Sequence, residues 1–254
     1  MDIKVLFEDE YLLVVDKPSG LVVNRSHTAL GATLQDFLDD KYPIKKDGIK
    51  DNPDDSIAYT EDINEEDYEL LSKQDFYLRS GIVHRIDKDT SGILIAARNP
   101  EVFLNMQKQF KSREVEKVYF ALCFGKAVEK FIEIKAPLIR NPKFPFKYAV
   151  SPNGKEAVTF LEVKGADNIE GEDVTLYEIK PKTGRTHQIR VHLSAMNQPV
   201  IYDSIYNTRK ELDWSAQHFP RLMLHAYSVS FKHPITEKQL LIESQLPEEF
   251  KAFQ

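Results

Sequence analysis

Short apolar runs, each bounded by turn-forming residues, recur from one end of this chain to the other. Runs of this length, rich in β-branched and aromatic residues, are typical of β-strands. They do not alternate regularly with helical patterns, so the sequence predicts an α+β fold with a mixed, mainly antiparallel central sheet and flanking helices. The predicted strands are 3–7, 11–15, 21–23, 93–97, 115–124, 131–135, 156–163, 173–180, 222–231 and 239–244.

Three segments have helical spacing of their apolar residues. Segments 32–40 and 183–196 each place apolar side chains on one face of a helix. A third helix is predicted after Asn99, which is a favourable N-cap residue, with Pro100 at the first helical position. The helices are too few to accompany every strand, which agrees with the α+β class.

Charge is distributed unevenly along the 254 residues. The net charge is −6, but residues 36–80 hold 14 acidic and 6 basic side chains, a net of −8, so the remainder carries +2. Binding of a polyanion depends on a local basic surface and not on the total charge. We interpret 1–254 as one domain with an acidic insertion, read as a loop, at about 41–75, and expect a mildly basic cleft elsewhere. A solvated acidic protein without a nucleic-acid partner is the alternative.

Cysteine usage and hydropathy restrict the cellular setting. Cys123 is the only cysteine, which excludes an internal disulfide and fits a reducing cytosol. The first ten residues lack the basic and apolar regions of a signal peptide, and no apolar run is long enough to span a bilayer. The sequence therefore predicts a cytoplasmic protein without a membrane segment.

The segment 81–92 carries the first candidate site. It reads GIVHRIDKDTSG and leads into an apolar run, so its turn residues can hold a carboxylate at the mouth of a buried strand. A carboxylate beside arginine stays ionised and can act as a nucleophile. Asp87 and Arg85 are the candidates; an inert exposed ion pair is the alternative.

The segment 182–193, KTGRTHQIRVHL, is dense in hydrogen-bond donors. Arg185 and Arg190 would diverge on a helix, so one could face a phosphate and the other the interior of a site. Gly184 at a helix entrance would leave backbone N–H groups for an anion. A solvated basic helix face is the alternative. His187 and the histidine five residues later lack the spacing of a metal-binding pair, so no metal site is predicted.

A third segment, 116–125, reads EKVYFALCFG and is a predicted strand. Lys117 and Tyr119 share one of its faces. A tyrosine there can stack on a base, although a partly buried structural tyrosine explains the same pattern.

Together these segments resemble the RluA-type pseudouridine synthases. Residues 84–92 resemble the family's H-R-L-D-x-x-T-S-G signature, with isoleucine in place of leucine, and 184–193 its G-R-T-H-Q-I-R-V-H-L block. Residues 8–21 resemble the opening E-D-x-x-L-L-V-V-x-K-P-x-G-L, 117–125 the K-x-Y-x-A strand with its following glycine, and 224–234 the closing L-H-A and F-x-H-P. Many members carry an S4 RNA-binding domain before the catalytic part, and we expect none within this sequence.

The resemblance implies roles for individual residues. Asp87 matches the catalytic aspartate, Tyr119 the tyrosine that stacks on the target uracil, and Arg190 the arginine that pairs with the catalytic carboxylate. Arg85 matches the arginine that enters the RNA stack where the target base is flipped out. RNA contact or support is the implied role of the remaining three, which are Lys117, Arg185 and His187.

The implied activity is isomerisation of specific uridines in rRNA or tRNA to pseudouridine, by an aspartate nucleophile and base flipping. A non-catalytic RNA-binding protein of the same fold is the alternative. The resemblance implies no cofactor and no metal, a central RNA cleft, and RNA as the partner. We expect a monomer.

Overall fold

Strands dominate the computed structural model, which describes residues 2–26, 31–44 and 65–253. The strands are β1 (Lys4–Glu8), β2 (Leu12–Lys17), β3 (Ser91–Ala97), β4 (Glu116–Phe124), β5 (Phe131–Lys135), β6 (Leu138–Arg140), β7 (Tyr148–Val150), β8 (Val158–Ile169), β9 (Glu172–Pro181), β10 (Leu224–Lys232) and β11 (Gln239–Glu243). The helices are α1 (Leu34–Lys41), α2 (Glu65–Leu78), α3 (Pro100–Lys111), α4 (Gln188–Ala195), α5 (Arg209–His218) and α6 (Glu248–Lys251). The pairs β1–β2, β2–β3, β4–β9, β5–β8, β6–β7 and β8–β9 are antiparallel, which confirms the predicted class.

The chain divides into two compact units. The first comprises Met1–Val115 and Ser230–Glu243, and the second Glu116–Val229 and Ser244–Gln254. Strand β10 continues from the second unit into the first. The assignment of both units to one catalytic domain stays a prediction. Within the described part of the chain, no helix combines the length and the apolar composition needed to cross a bilayer.

The first unit is built on β1, β2 and β3, paired in that order. Every residue of β3 is buried, and α3 packs against it. The predicted start of α3 is confirmed, because the Asn99 side chain accepts the N–H of Val102 at 2.9 Å. Val102, Phe103 and Met106 are fully buried on the apolar face of this helix. The core of this unit therefore lies between α3 and β3, the strand that follows the predicted catalytic turn.

The acidic stretch differs from its predicted loop structure. Within 41–75 the chain forms most of α2, which packs against α3. Ser72 and Phe76 are buried; the Phe76 ring lies 5.8 Å from that of Phe103. A few well-placed contacts are sufficient to order an acidic helix, which average composition does not reveal. The part of the prediction that falls on 45–64 lies outside the described residues.

The second unit contains a sheet in the order β10-β4-β9-β8-β5. The long hairpin β8–β9 turns at Glu170 and Gly171, which have φ angles of 48° and 89°. Two successive positive φ values are typical of the tight turns that join twisted antiparallel strands. Tyr177 of β9 is fully buried and its hydroxyl donates to Gln198 at 2.7 Å, so the core of this unit includes a satisfied polar pair.

Residues 21–23 do not form the predicted strand. The carbonyl groups of Val22 and Val23 accept the N–H groups of Leu34 and Gln35 instead. The backbone of this segment thus satisfies the first donors of α1, which would otherwise lack partners. The hairpin β6–β7 and the helices α5 and α6 were not predicted from the sequence.

Candidate active site

Asp87 opens a turn in the first unit. Its carbonyl accepts the N–H of Thr90 at 3.2 Å. The preceding Ile86 and the following Thr90 are both buried, whereas the side chain of Asp87 is half-buried. The carboxylate is therefore carried on a short segment that is fixed at both ends.

Lys17 holds this turn from the neighbouring segment. Its side chain is fully buried, and Nζ donates to the carbonyl oxygens of Pro18, Leu21 and Lys88 at 2.8, 2.9 and 2.8 Å. A buried ammonium is stable only when it is fully hydrogen-bonded, and three carbonyls meet that requirement. Lys88 follows Asp87 directly, so Lys17 holds the backbone beside the predicted nucleophile.

Two further hydrogen bonds tie the same segments together. Ser19 Oγ donates to the carbonyl of Asp89 at 2.6 Å, and the N–H of Gly20 donates to the carbonyl of Lys88 at 3.0 Å. Gly92, which pairs with Lys17 across β2 and β3, has φ +111°, a conformation that side chains disfavour. The opening block (8–21) and the signature block (84–92) are thus hydrogen-bonded to each other, although the bonded residues lie 70 and 71 positions apart in the chain.

We predict that Lys17→Met lowers the free energy of unfolding by about 1–3 kcal/mol, because three carbonyl groups lose their donor. Urea denaturation followed by circular dichroism measures the change. Lys4→Met makes the same substitution at an exposed position of the first unit, and is expected to change stability by less than about 0.5 kcal/mol. Equal effects of the two substitutions would contradict the role of Lys17.

Arg85 precedes the turn and is exposed. Its neighbour His84 anchors the loop, since the His84 Nε2 accepts the N–H of Ile95 at 3.1 Å. The His84 ring also lies 4.8 Å from that of Phe110 on α3. The signature segment therefore alternates residues that fix the loop with residues that meet solvent.

In the second unit, the loop before α4 is organised by Gln188. Its Oε1 accepts from Thr183 Oγ1 at 2.6 Å and from the N–H of Arg185 at 3.1 Å, and its Nε2 donates to the carbonyl of Val158 at 3.0 Å. His187 has a left-handed backbone with φ +56°. The predicted helical start at Thr183 was wrong, because these side-chain hydrogen bonds and the left-handed residue delay the helix until Gln188.

This later start also corrects the role predicted for Gly184. The glycine lies four residues before the first residue of α4 and not at its entrance. Arg185 is exposed, and its Nε donates to the carbonyl of Glu156 at 3.0 Å. The guanidinium is therefore held at the surface by the backbone of the neighbouring loop.

Arg190 lies on α4 with only 3% of its side chain exposed. Its Nε and Nη2 bind the two carboxylate oxygens of Asp203, at 2.7 and 2.8 Å. Oδ1 of Asp203 also accepts the N–H groups of Ile205 and Tyr206. Pairing of Arg190 with Asp87 stays a prediction. Asp203 was not predicted from the sequence. A buried arginine requires a carboxylate partner, and Asp203 follows Arg190 by only 13 residues.

A tyrosine that was not predicted joins these residues. The hydroxyl of Tyr206 accepts the N–H of Tyr148 at 2.9 Å and lies 3.0 Å from Nδ1 of His187. The Arg190 guanidinium lies 5.3 Å from the centre of the Tyr206 ring. We refer to Tyr148, His187, Arg190, Asp203 and Tyr206 as the Tyr206 cluster. It brings two of the predicted site residues, His187 and Arg190, into one contact network.

Lys117 and Tyr119 lie on β4, and both are half-buried. Tyr119 is opposite Ile179 in the register with β9 and packs against the core of the second unit. Burial lowers the pKa of Lys117. Lys117 and Tyr119 thus lie two residues apart on one strand, as a partly desolvated lysine and a half-buried aromatic ring.

His192, the second histidine of the pair that was considered for metal binding, has other partners. Nδ1 of His192 lies 2.8 Å from Thr159 Oγ1, and Nε2 lies 2.9 Å from the carbonyl of Ala136. Burial lowers the pKa of His192, which favours the neutral imidazole. Over the described ranges, no three histidine, cysteine, aspartate or glutamate side chains are grouped to hold a metal ion.

The predicted site residues are thus divided between the units. Asp87 and Arg85 belong to the first. The second contains Lys117, Tyr119, Arg185, His187 and Arg190. The backbone that carries each set is held by hydrogen bonds or strand pairing within its own unit.

Known proteins share this sequence pattern. The sequence profile of RNA pseudouridylate synthase matches residues 11–195. Ribosomal large subunit pseudouridine synthase D of Nitrosomonas europaea is 34% identical over 98% of this chain and 64% of its own length. Ribosomal large subunit pseudouridine synthase C of Buchnera aphidicola is 33% identical over 97% of this chain and 68% of its own length. The chain therefore spans about two thirds of the length of these relatives.

The fold is similar to that of a solved human protein. The structure of human RNA pseudouridylate synthase domain containing 1 superposes with a TM-score of 0.72 over 97% of this chain and 84% of its own, at 24% identity. The profile covers well over half of the chain, from before the signature block to the end of α4. The chain therefore belongs to the RNA pseudouridylate synthase family, of the RluA type that its motifs resemble.

Proposed function

We propose that this chain isomerises uridine in RNA to pseudouridine, with the carboxylate of Asp87 as the nucleophile. The observation that carries the proposal is the position of Asp87 in the family's signature segment, on a turn whose backbone Lys17 binds. A nucleophile must be held in place before the substrate arrives, because a small displacement of the reacting atom lowers the rate strongly. Family membership supplies the class of reaction.

The target uracil must leave the RNA stack before its ring can rotate. Extrusion costs a few kcal/mol and is easiest where the base is already unpaired. We propose that Arg85, which is exposed beside the turn, fills the space that the extruded base leaves in the RNA stack. Tyr119 is assigned to stacking on the extruded base, since a half-buried ring offers both a face and a hydroxyl.

Asp87 then attacks the ribose C1′ or the uracil C6, or assists loss of the C2′ proton. Arg190, which also binds Asp203, is assigned to the ion pair with the Asp87 carboxylate that the family pattern implies. A neighbouring arginine keeps a carboxylate ionised. The N1–C1′ bond breaks, C5 bonds to C1′, the C5 proton leaves and N1 gains one. The isomerisation involves no redox change and no hydrolysis, so the proposal requires no metal or cofactor.

The substrate class we propose is large-subunit rRNA, because two of the relatives carry that substrate in their names. A tRNA substrate is the second candidate. Lys117, Arg185 and His187 are assigned to contact with the RNA backbone or to support of the site. A monomer in the cytoplasm remains our expectation.

Tritium release tests the activity directly. The purified chain is incubated with large-subunit rRNA and tRNA transcripts that carry tritium at C5 of every uridine, because isomerisation exchanges that hydrogen with water. We expect release that reaches a plateau at one or a few equivalents per transcript. Tight binding of both RNAs without any release would reject the enzyme and leave the non-catalytic RNA-binding alternative.

A further inference from the structure

The hairpin β6–β7 lies in a segment with a local excess of positive charge. Between Glu133 and Glu156 the sequence contains five basic residues and no acidic one. We call residues 138–150 the basic hairpin. All of it belongs to the second unit. A local excess of positive charge on a chain with a net charge of −6 points to an anionic partner for this element.

Two phenylalanine rings lie at the end of the basic hairpin, exposed to solvent. Phe144 and Phe146 are 51% and 59% exposed, and their ring centres are 6.2 Å apart. Arg140 and Lys143 on the same hairpin are exposed as well. Large apolar side chains grouped at a surface indicate an interaction site, and the interleaved cations indicate that the partner carries negative charge.

Side-chain hydrogen bonds organise the backbone at the end of the hairpin. Asn141 Oδ1 accepts the N–H groups of Lys143 and Phe144, at 2.9 and 3.2 Å. Arg140 Nε donates to the carbonyl of Pro145 at 2.7 Å. Because these bonds restrict the backbone around Phe144, less conformational entropy is lost when a partner binds.

The hairpin is also joined to the Tyr206 cluster. The N–H of Tyr148, the first residue of β7, donates to the Tyr206 hydroxyl at 2.9 Å. Leu138 at the start of β6 is buried against Val191 of α4. The exposed rings are thus carried by the same structure that holds His187 and Arg190.

Two other exposed phenylalanines of the second unit lie opposite carboxylates, although Nζ of Lys130 also lies 5.4 Å from the centre of the Phe131 ring. Phe131 on β5 lies opposite Glu162, and Phe160 on β8 lies opposite Glu133. Carboxylates beside these rings disfavour a polyanion. They provide a matched comparison, because they are phenylalanines of the same unit with 64% and 40% exposure.

We propose that the basic hairpin binds an unpaired stretch of the RNA substrate, with Phe144 and Phe146 stacking on its bases and Arg140 and Lys143 contacting its phosphates. Aromatic rings stack on bases only where those bases are not paired, and nearby cations follow the backbone. The inference rests on the proposed function for the identity of the nucleic acid. It adds a preference for loops or single strands over duplex.

Binding is measured with the whole protein and a uridine-free single-stranded oligoribonucleotide, and with the same sequence in a perfect duplex. We expect the double variant Phe144→Ala, Phe146→Ala to bind the single strand about tenfold or more weakly and the duplex almost unchanged, with an unaltered salt dependence. Arg140→Ala with Lys143→Ala should reduce the slope of log K against log salt by roughly 0.7 for each lost phosphate contact. Phe131→Ala with Phe160→Ala should leave both affinities unchanged.

Unchanged single-strand affinity in the Phe144→Ala, Phe146→Ala protein would overturn the proposal and direct attention to a protein partner. Equal losses on single strand and duplex would also overturn it, since paired bases offer no face for stacking. The oligonucleotide lacks uridine, so the result is independent of catalysis. If the Phe144→Ala, Phe146→Ala protein loses single-strand affinity selectively but the unaltered protein releases no tritium, the proposed enzyme is rejected and the hairpin site is retained. If tritium is released but the single-strand affinity is unchanged in the variant, the hairpin site is rejected and the proposed enzyme is retained.

Discussion

Asp87→Asn is expected to reduce tritium release from uridine-labelled RNA by about 10³-fold or more, with RNA affinity retained. Asparagine preserves the shape of the side chain but cannot act as an anionic nucleophile or base. The turn itself should persist, because its hydrogen bond joins the backbone carbonyl of Asp87 to the N–H of Thr90. The loss would therefore be chemical and not structural.

The control for this prediction is Asp89→Asn, which makes the same change two residues along the same turn. Its side chain is half-buried like that of Asp87, and only its backbone carbonyl is used by Ser19. We expect near-normal release from this variant and similar thermal stability for both proteins. Pseudouridine formed by purified Asp87→Asn would show that the nucleophile is another group.

Asp203→Ala is expected to lower the free energy of unfolding by about 3–5 kcal/mol, because it leaves the charge of Arg190 buried without its carboxylate. Both side chains of this pair are almost completely buried, with 3% and 0% exposure. Urea denaturation of the two proteins measures the difference. Asp213→Ala serves as the control, because it removes an Arg–Asp pair whose side chains are 87% and 57% exposed, and such pairs contribute about 0–1 kcal/mol.

A double substitution separates stability from function at the same pair. Replacing Arg190 by methionine and Asp203 by asparagine removes both charges at similar volume, which often restores stability, and asparagine keeps an oxygen for the N–H groups of Ile205 and Tyr206. We expect the double variant to recover much of the free energy of unfolding that Asp203→Ala loses. Tritium release should remain absent, because the double variant lacks Arg190, which we assign to the carboxylate of Asp87. Recovery of activity together with stability would show that the pair is only structural.

Local sequence determined much of the secondary structure. The start of α3 depends on Asn99 and Pro100, which act within one helical turn, and the strands depend on apolar runs of a few residues. The motif segments that carry Asp87, Tyr119 and Arg190 were also recognisable, because each is contiguous in the chain. These features require only near neighbours, and a sequence presents near neighbours directly.

Tertiary structure decided the features that depend on distant partners. The acidic stretch became helical where Phe76 could pack on Phe103, and the start of α4 was fixed by hydrogen bonds from Gln188 to β8 and the preceding loop. Neither contact is visible in average composition or periodicity, since each gains its free energy from burial against another element.

The same reason applies to the candidate site. Lys17 binds the carbonyl of Lys88 across 71 positions of the chain, and Arg190 binds Asp203 across 13. The sequence by itself supplied the residue types and the family pattern of the reacting groups. Which backbone Lys17 supports and which carboxylate neutralises Arg190 were decided by the fold, because a buried charge takes the partner that folding brings within hydrogen-bond distance.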